Sequence, residues 1–316
     1  MTAVKPEPKR TWLGFALAAL FFFGLTNFIL GFIAEKNAGA PAASITAAMI
    51  LWLGTGLLGA GALAYFRAAG KDFASLSGRR TWVLPVAAGV MLAFGMLLLK
   101  TGLASNPLAK GPIVAVSSSN SLIVALLAWL VLRETLAPGQ WAGFLVIIAG
   151  IVMVSLGGTA GNHFNAIGYA VLAMLCFGLT NFFLKLAGAR GCDSLAAAIV
   201  LWLSVGACGV LAASWHLLRF SRIPALGRWE LSWLALLAGM LLALGMLAVK
   251  KAVTLGPAGP ASAVSGSNAI VVSILDLLVL GHGLPFLKLA GMLAVIVGIA
   301  AFALARPVKN DHSSAA

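Results

Sequence analysis

Phe23-Gly24-Leu25-Thr26-Asn27-Phe28 recurs letter for letter as Phe177-Gly178-Leu179-Thr180-Asn181-Phe182. The repetition continues outward from this hexapeptide. Leu51-Trp52-Leu53 returns as Leu201-Trp202-Leu203, and Gly95-Met96-Leu97 with Lys100 returns as Gly245-Met246-Leu247 with Lys250. Gly111-Pro112 with Asn120 returns as Gly259-Pro260 with Asn268. The four matches keep their order and lie 148 to 154 residues apart in a chain of 316, which marks an internal duplication.

Both copies of the hexapeptide sit inside long apolar runs. The chain is 61% hydrophobic and 9% charged, against roughly a quarter charged in ordinary soluble domains. Ten runs, each about 18 or more residues long, are of the length that crosses a hydrocarbon core of about 30 Å. They fall at approximately 11–33, 42–66, 82–104, 111–132, 137–157, 164–187, 194–218, 231–254, 260–281 and 284–305. The expected fold is an all-α membrane protein of about ten transmembrane helices. A tail at 1–10 precedes a five-helix repeat at 11–157, and a second repeat at 164–305 precedes a tail at 306–316. An odd number of spans per copy inverts the second copy in the membrane. Such inverted repeats are a hallmark of secondary transporters, whose sites lie near the midplane between the copies. The first run is expected to be a retained helix, because its counterpart lies deep inside the chain.

A net charge of +13 would suggest nucleic acid for a soluble protein, but here the cations are counted by side of the membrane. With the N-terminus inside, fourteen of the 21 Lys and Arg fall on the cytoplasmic side, including Lys5, Lys9, Arg10, Arg67, Arg79, Arg80, Lys185 and Arg190. Arg219, Arg222 and Arg228 run against the trend. The expected location is the cell inner (cytoplasmic) membrane, multi-pass, with both termini cytoplasmic. No Walker loop, Ser-His-Asp set, His-Glu-x-x-His site or cysteine cluster accompanies the runs, so no enzyme activity, cofactor or metal is expected. Expected partners are a small-molecule substrate, the lipid bilayer and a proton or exchange substrate, with no nucleic acid; a homodimer is left open.

The stretch Leu132-Arg133-Glu134-Thr135-Leu136, Gln140-Trp141-Ala142-Gly143 and Ile147-Ile148-Ala149-Gly150-Ile151 resembles the end of the fourth helix, the turn and the glycine-spaced fifth helix of EamA-type members of the drug/metabolite transporter superfamily. The resemblance covers nearly the whole chain. It implies transport of a small metabolite without naming the cargo. Ser117-Ser118-Ser119-Asn120 departs from the family's usual proline there, and Gly281-His282 stands opposite Arg133-Glu134.

Candidate site residues follow from depth along the helices. With Pro112 and Pro260 as helix starts, Asn120 and Asn268 lie eight residues in, roughly 12 Å at 1.5 Å per residue and near the midplane. Ser117 and Ser121 flank Asn120 at helical spacing, and Ser265 stands beside Asn268. These residues either contact substrate or tie helices together by hydrogen bonds. Thr26, Asn27, Thr180 and Asn181 form a second polar group, which either contacts substrate or serves the close packing and local unwinding that the Gly-Leu-Thr-Asn sequence permits. Trp52 and Trp202 either line a cavity or pack. Lys100 and Lys250 lie far along their runs and are expected near water, either snorkelling to headgroups or, with Lys251, anchoring an anion. Asp276, whose counterpart is Ala128, is an intramembrane carboxylate: a proton carrier, a counter-charge for a cationic substrate, or the partner of a lysine. Arg133 and Glu134 are expected to act in gating. The expected function is alternating-access transport of a small polar metabolite, anionic or zwitterionic. The alternatives are a non-transporting sensor and a carrier of cationic or drug-like compounds with Asp276 as counter-charge.

Overall fold

The computed structural model describes residues 11–37, 41–70, 82–106, 109–132, 138–156, 163–221, 229–255, 264–281 and 285–305. Eleven helices run through them: α1 (Thr11–Lys36), α2 (Pro41–Ala68), α3 (Val83–Ser105), α4 (Lys110–Ser118), α5 (Ser121–Leu132), α6 (Pro138–Leu156), α7 (His163–Ala189), α8 (Ser194–Phe220), α9 (Trp229–Leu255), α10 (Ala269–Leu280) and α11 (Phe286–Leu304). No strand occurs among the described residues. Six helices are long and apolar enough to cross a membrane, namely α1, α2, α3, α7, α8 and α9, and shorter apolar helices accompany them. The chain is therefore an all-α membrane protein. Apolar runs of this length adopt helix because hydrocarbon offers no partner for a backbone N–H or C=O.

Eight of the ten expected runs are single helices, but 111–132 and 260–281 are not. The first breaks at Ser119-Asn120 and the second at Ser267-Asn268. Short i−3 bonds mark both breaks: Ser119 N–H to Val116 O at 3.1 Å and Leu122 N–H to Ser119 O at 3.0 Å, then Ser267 N–H to Val264 O at 3.2 Å and Ile270 N–H to Ser267 O at 3.1 Å. Serine and asparagine side chains compete for backbone partners, which makes these polar clusters the weak points of otherwise apolar helices. Local unwinding, anticipated in the Gly-Leu-Thr-Asn segments, is found here instead; α1 and α7 pass through those segments unbroken.

Four antiparallel pairs form the body: α1 with α9, α3 with α7, α2 with α8, and α6 with α11. Their direction is read from contacts along the axes. Ala16 packs with Ala252, Phe23 lies over Gly245, and Thr26 reaches Ala238. In the α3–α7 pair, Thr180 reaches Ala88, Phe177 lies over Gly95, and Gly102 meets Ala166. With lipid outside, no hydrophobic force draws helices together, so small residues bring backbones into dispersion contact. One close crossing joins α2 to α8, where a Cβ on Gly56 would lie 2.5 Å from Gly206 Cα and one on Gly206 would lie 2.6 Å from Gly56 Cα.

Candidate functional site

The two helix breaks face the two copies of Thr-Asn. The Asn27 amide donates to Asn268 Oδ1 at 3.2 Å, and the Asn181 amide donates to Asn120 Oδ1 at 3.1 Å. The neighbouring threonines donate sideways to main-chain carbonyls, Thr26 to Ala238 and Thr180 to Ala88, each at 3.2 Å. Close approach is needed for this. A Cβ on Gly24 would sit 2.5 Å from Val271 Cβ, and one on Gly178 would overlap Ile123.

The two amide pairs differ in one respect. Asn268 is buried and also exchanges hydrogen bonds with Ser118, at 3.2 and 3.3 Å, while its amide reaches Ser265 O at 3.2 Å. At the place in the sequence corresponding to Ser118 the other repeat carries Gly266. Asn120 is correspondingly less enclosed, and its amide has a long 3.4 Å contact to Ser117 O.

A cavity of about 470 Å³ lies over these amides. Thr26, Asn27, Ser117, Asn120, Ser121, Thr180, Asn181, Ser265 and Asn268 all border it, so the structure brings together the polar residues picked out by depth. Trp202 and Lys250 border it as well, with Lys185, Gly188 and Cys192 toward the end of α7 and the start of α8. That end, where Ala16 meets Ala252, is the mouth. The indole N–H of Trp202 and the hydroxyl of Ser121 are buried with no hydrogen-bond partner among the described residues. Among the described residues, no acidic side chain borders the cavity.

Three expected site residues lie elsewhere. Trp52 is packed and does not border the cavity. Lys100, expected near water, is only 1% exposed and donates to the main-chain carbonyl of Leu30 at 2.7 Å. Counting residues along α3 put it near the end of its run, but α1 covers it from the side. Asp276 is also away from the cavity: Lys110 Nζ lies 2.6 Å from Asp276 Oδ1 and 2.7 Å from Glu35 Oε2. Arg133 and Glu134 lie outside the described residues.

Glu35, Lys110 and Ser118 are functional candidates that depth along the runs missed. Lys110 is fully buried, its stem lying over Gly31, where a Cβ would be 2.5 Å from Lys110 Cδ. An unmatched carboxylate inside an apolar run demands a cation at its own depth, and that demand was the available signal. Together α1, α4 and α10 form a charged plug at the end of the bundle opposite the mouth.

No protein-family model matches the chain, and no curated protein matches it. Among solved structures, the fold is similar to a crystal structure described only as that of a protein, 22% identical, with a TM-score of 0.55, covering 90% of this chain and 96% of that one. At that identity the likeness speaks for the fold alone.

Proposed function

We propose that the chain is a secondary transporter of a small polar metabolite, built from two inverted five-helix repeats that make ten membrane passes. In this scheme α4 with α5, and residues 264–266 with α10, are each one pass broken at its middle. The reciprocal contacts support the inversion: Thr26 to Ala238 against Thr180 to Ala88, Asn27 to Asn268 against Asn181 to Asn120, and Phe23 over Gly245 against Phe177 over Gly95. Membership of the EamA-type drug/metabolite transporters is part of the proposal, resting on the sequence resemblance and on this arrangement.

The observation that carries the function is a largely apolar cavity with a band of amides and hydroxyls at the level of the helix breaks, reaching toward one end and separated from the other by Glu35, Lys110 and Asp276. A pore would be open at both ends, and an enzyme would need reacting groups. Rocking of the repeats about the amide level would exchange the open and plugged ends. With both termini cytoplasmic in the inner membrane, the mouth faces the cytoplasm. The cargo is anionic or zwitterionic, since the cavity offers the Trp202 indole, amides, hydroxyls and two lysines, and no acid among the described residues. A cationic cargo countered by Asp276 is disfavoured because Lys110 already holds that carboxylate away from the cavity.

The test is uptake and counterflow by proteoliposomes of the purified protein, challenged with a broad panel of labelled metabolites. Saturable counterflow of at least one compound is expected. Binding of a compound with no flux in either direction would replace the transporter with a sensor.

A further inference from the structure

The two helix breaks have matching backbone surroundings and differ at one side chain. A Cβ on Gly24 would lie 3.2 Å from Asn268 O and one on Gly178 would lie 3.2 Å from Asn120 O, so each Thr-Asn segment meets its break at the same distance. At Asn268 the hydroxyl of Ser118 sits across the edge of the amide. Ser118 O–H donates to Asn268 Oδ1 at 3.3 Å, and the Asn268 amide donates to Ser118 Oγ at 3.2 Å. Ser118 stands two residues before Asn120 and Gly266 two residues before Asn268, so the place from which a serine would reach Asn120 holds a glycine. Among the described residues, the Asn120 side chain accepts from Asn181 at 3.1 Å and makes its long 3.4 Å contact to Ser117 O, and no hydroxyl lies across its edge. Asn120 and Gly266 both border the cavity. We propose that the O–N edge of the Asn120 amide is a subsite for a hydroxyl group of the cargo, which takes there, over Gly266, the place that Ser118 takes on Asn268. This rests on the reading of the cavity as the cargo site and narrows the cargo to a hydroxylated compound.

The chemistry of the edge selects the ligand group. A hydroxyl is donor and acceptor at one oxygen, so it can give to Oδ1 and receive from Nδ2 together. A carboxylate or phosphate oxygen would set an acceptor against Oδ1, and an ammonium has no lone pair for the amide N–H. Ser118 and Asn268 are 9% and 5% exposed, so the protein completes that copy for itself, whereas Asn120 is half-buried on the cavity wall. A cargo analogue without the hydroxyl leaves both groups of the Asn120 edge unmatched, which is the kind of loss that separates close analogues well. The backbone at Gly266 is helical, and a Cβ there would meet Ile299 Cγ2 and Ser118 O at 3.7 Å, ordinary contact distances, so a serine can be accommodated.

Gly266→Ser therefore supplies the hydroxyl from the protein and provides the test. The full chain in lipid nanodiscs is titrated calorimetrically with pairs of compounds that differ by one hydroxyl: serine and alanine, glycerate and lactate, ribose 5-phosphate and 2-deoxyribose 5-phosphate. In the parent, the hydroxylated member of at least one pair is expected to bind about tenfold tighter than its partner. Gly266→Ser is expected to abolish that preference at an unfolding temperature no lower than the parent's. Gly266→Ala adds bulk without the hydroxyl and is expected to weaken both members alike, leaving the preference. Asn120→Leu removes the edge and is expected to abolish the preference too, which decides the matter if Gly266→Ser does not fold. Equal binding within every pair, no binding of any of the six compounds, or a preference that survives in Gly266→Ser or Asn120→Leu overturns the subsite. So does a preference lost equally in Gly266→Ala. Counterflow by the parent alongside any of those results leaves the transporter standing, and a hydroxyl preference without counterflow keeps the subsite and removes the transporter.

Discussion

Replacing Lys110 by methionine keeps the length of the side chain and removes its charge, so that Asp276 and Glu35 lose the cation they share. The side chain of Lys110 is 0% exposed, that of Asp276 is 4% exposed and that of Glu35 is 25% exposed, so most of the cost falls on the Asp276 contact. Breaking a buried ion pair by deleting one partner costs about 3–5 kcal/mol. At about 1.4 kcal/mol per tenfold, the plugged state loses roughly a hundredfold to a few thousandfold in relative population. The assay places a cysteine at Met96, which borders the cavity, in a background with Cys176, Cys192 and Cys208 replaced by alanine. A membrane-impermeant maleimide is then applied only to the face carrying Lys36 and Asn106. The parent is expected to stay unlabelled and Lys110→Met to be labelled. The triple variant Glu35→Gln, Lys110→Met, Asp276→Asn, which removes all three charges together, is expected to unfold near the parent's temperature, because neutral replacement of a whole buried ionic group is often tolerated. Labelling and thermal midpoint of Lys110→Met both indistinguishable from the parent would refute the idea that these charges hold that end shut.

The remaining predictions use the same preparations. Asn268→Ala strands the Asn27 amide and the Ser118 hydroxyl in a buried place, so a loss of about 1–3 kcal/mol is expected in thermal or denaturant unfolding. Asn120→Ala leaves Asn181 beside the cavity, so uptake in proteoliposomes is expected to fall while stability changes by less than about 1 kcal/mol. Gly56→Leu and Gly206→Leu force side chains into the backbone of the facing helix and are expected to abolish a monodisperse size-exclusion peak. Gly61→Ala, with nothing within 4 Å of its added Cβ, is expected to behave like the parent. Gly31→Val intrudes on the stem of Lys110, and its Met96→Cys labelling is expected to follow that of Lys110→Met.

The run lengths and the repeated hexapeptide made most of the helices legible in the sequence, because both are properties of consecutive residues. A run long enough to cross hydrocarbon has few ways to satisfy its backbone other than helix, and the bounds of α1, α3, α7 and α9 fall within a few residues of the runs that announced them. The amide-and-serine cluster was legible for a similar reason: depth along a helix is a count of residues, and Asn120 and Asn268 were at equal counts from their prolines. The broken passes were not, although the serines that break them were in view, because an apolar average over 111–132 conceals where its few polar residues outcompete the helix for hydrogen bonds.

Tertiary structure alone decided which polar residues meet across the bundle and which are left facing the cavity. Counting along α3 set Lys100 near an end, but not whether a neighbour would cover it, and α1 does. Lys110 lies 75 residues from Glu35 and 166 from Asp276, and nothing local to any of the three announces the others. Trp52 and Trp202 are the same letter at matching places in the duplicated sequence, yet the cavity borders only Trp202 of the two. Hydropathy and periodicity act along the chain, whereas burial, ion pairing and the shape of a cavity depend on which helix stands beside which, and the contacts that set Lys100, Lys110 and Asp276 apart from their counterparts are made between segments far apart in sequence.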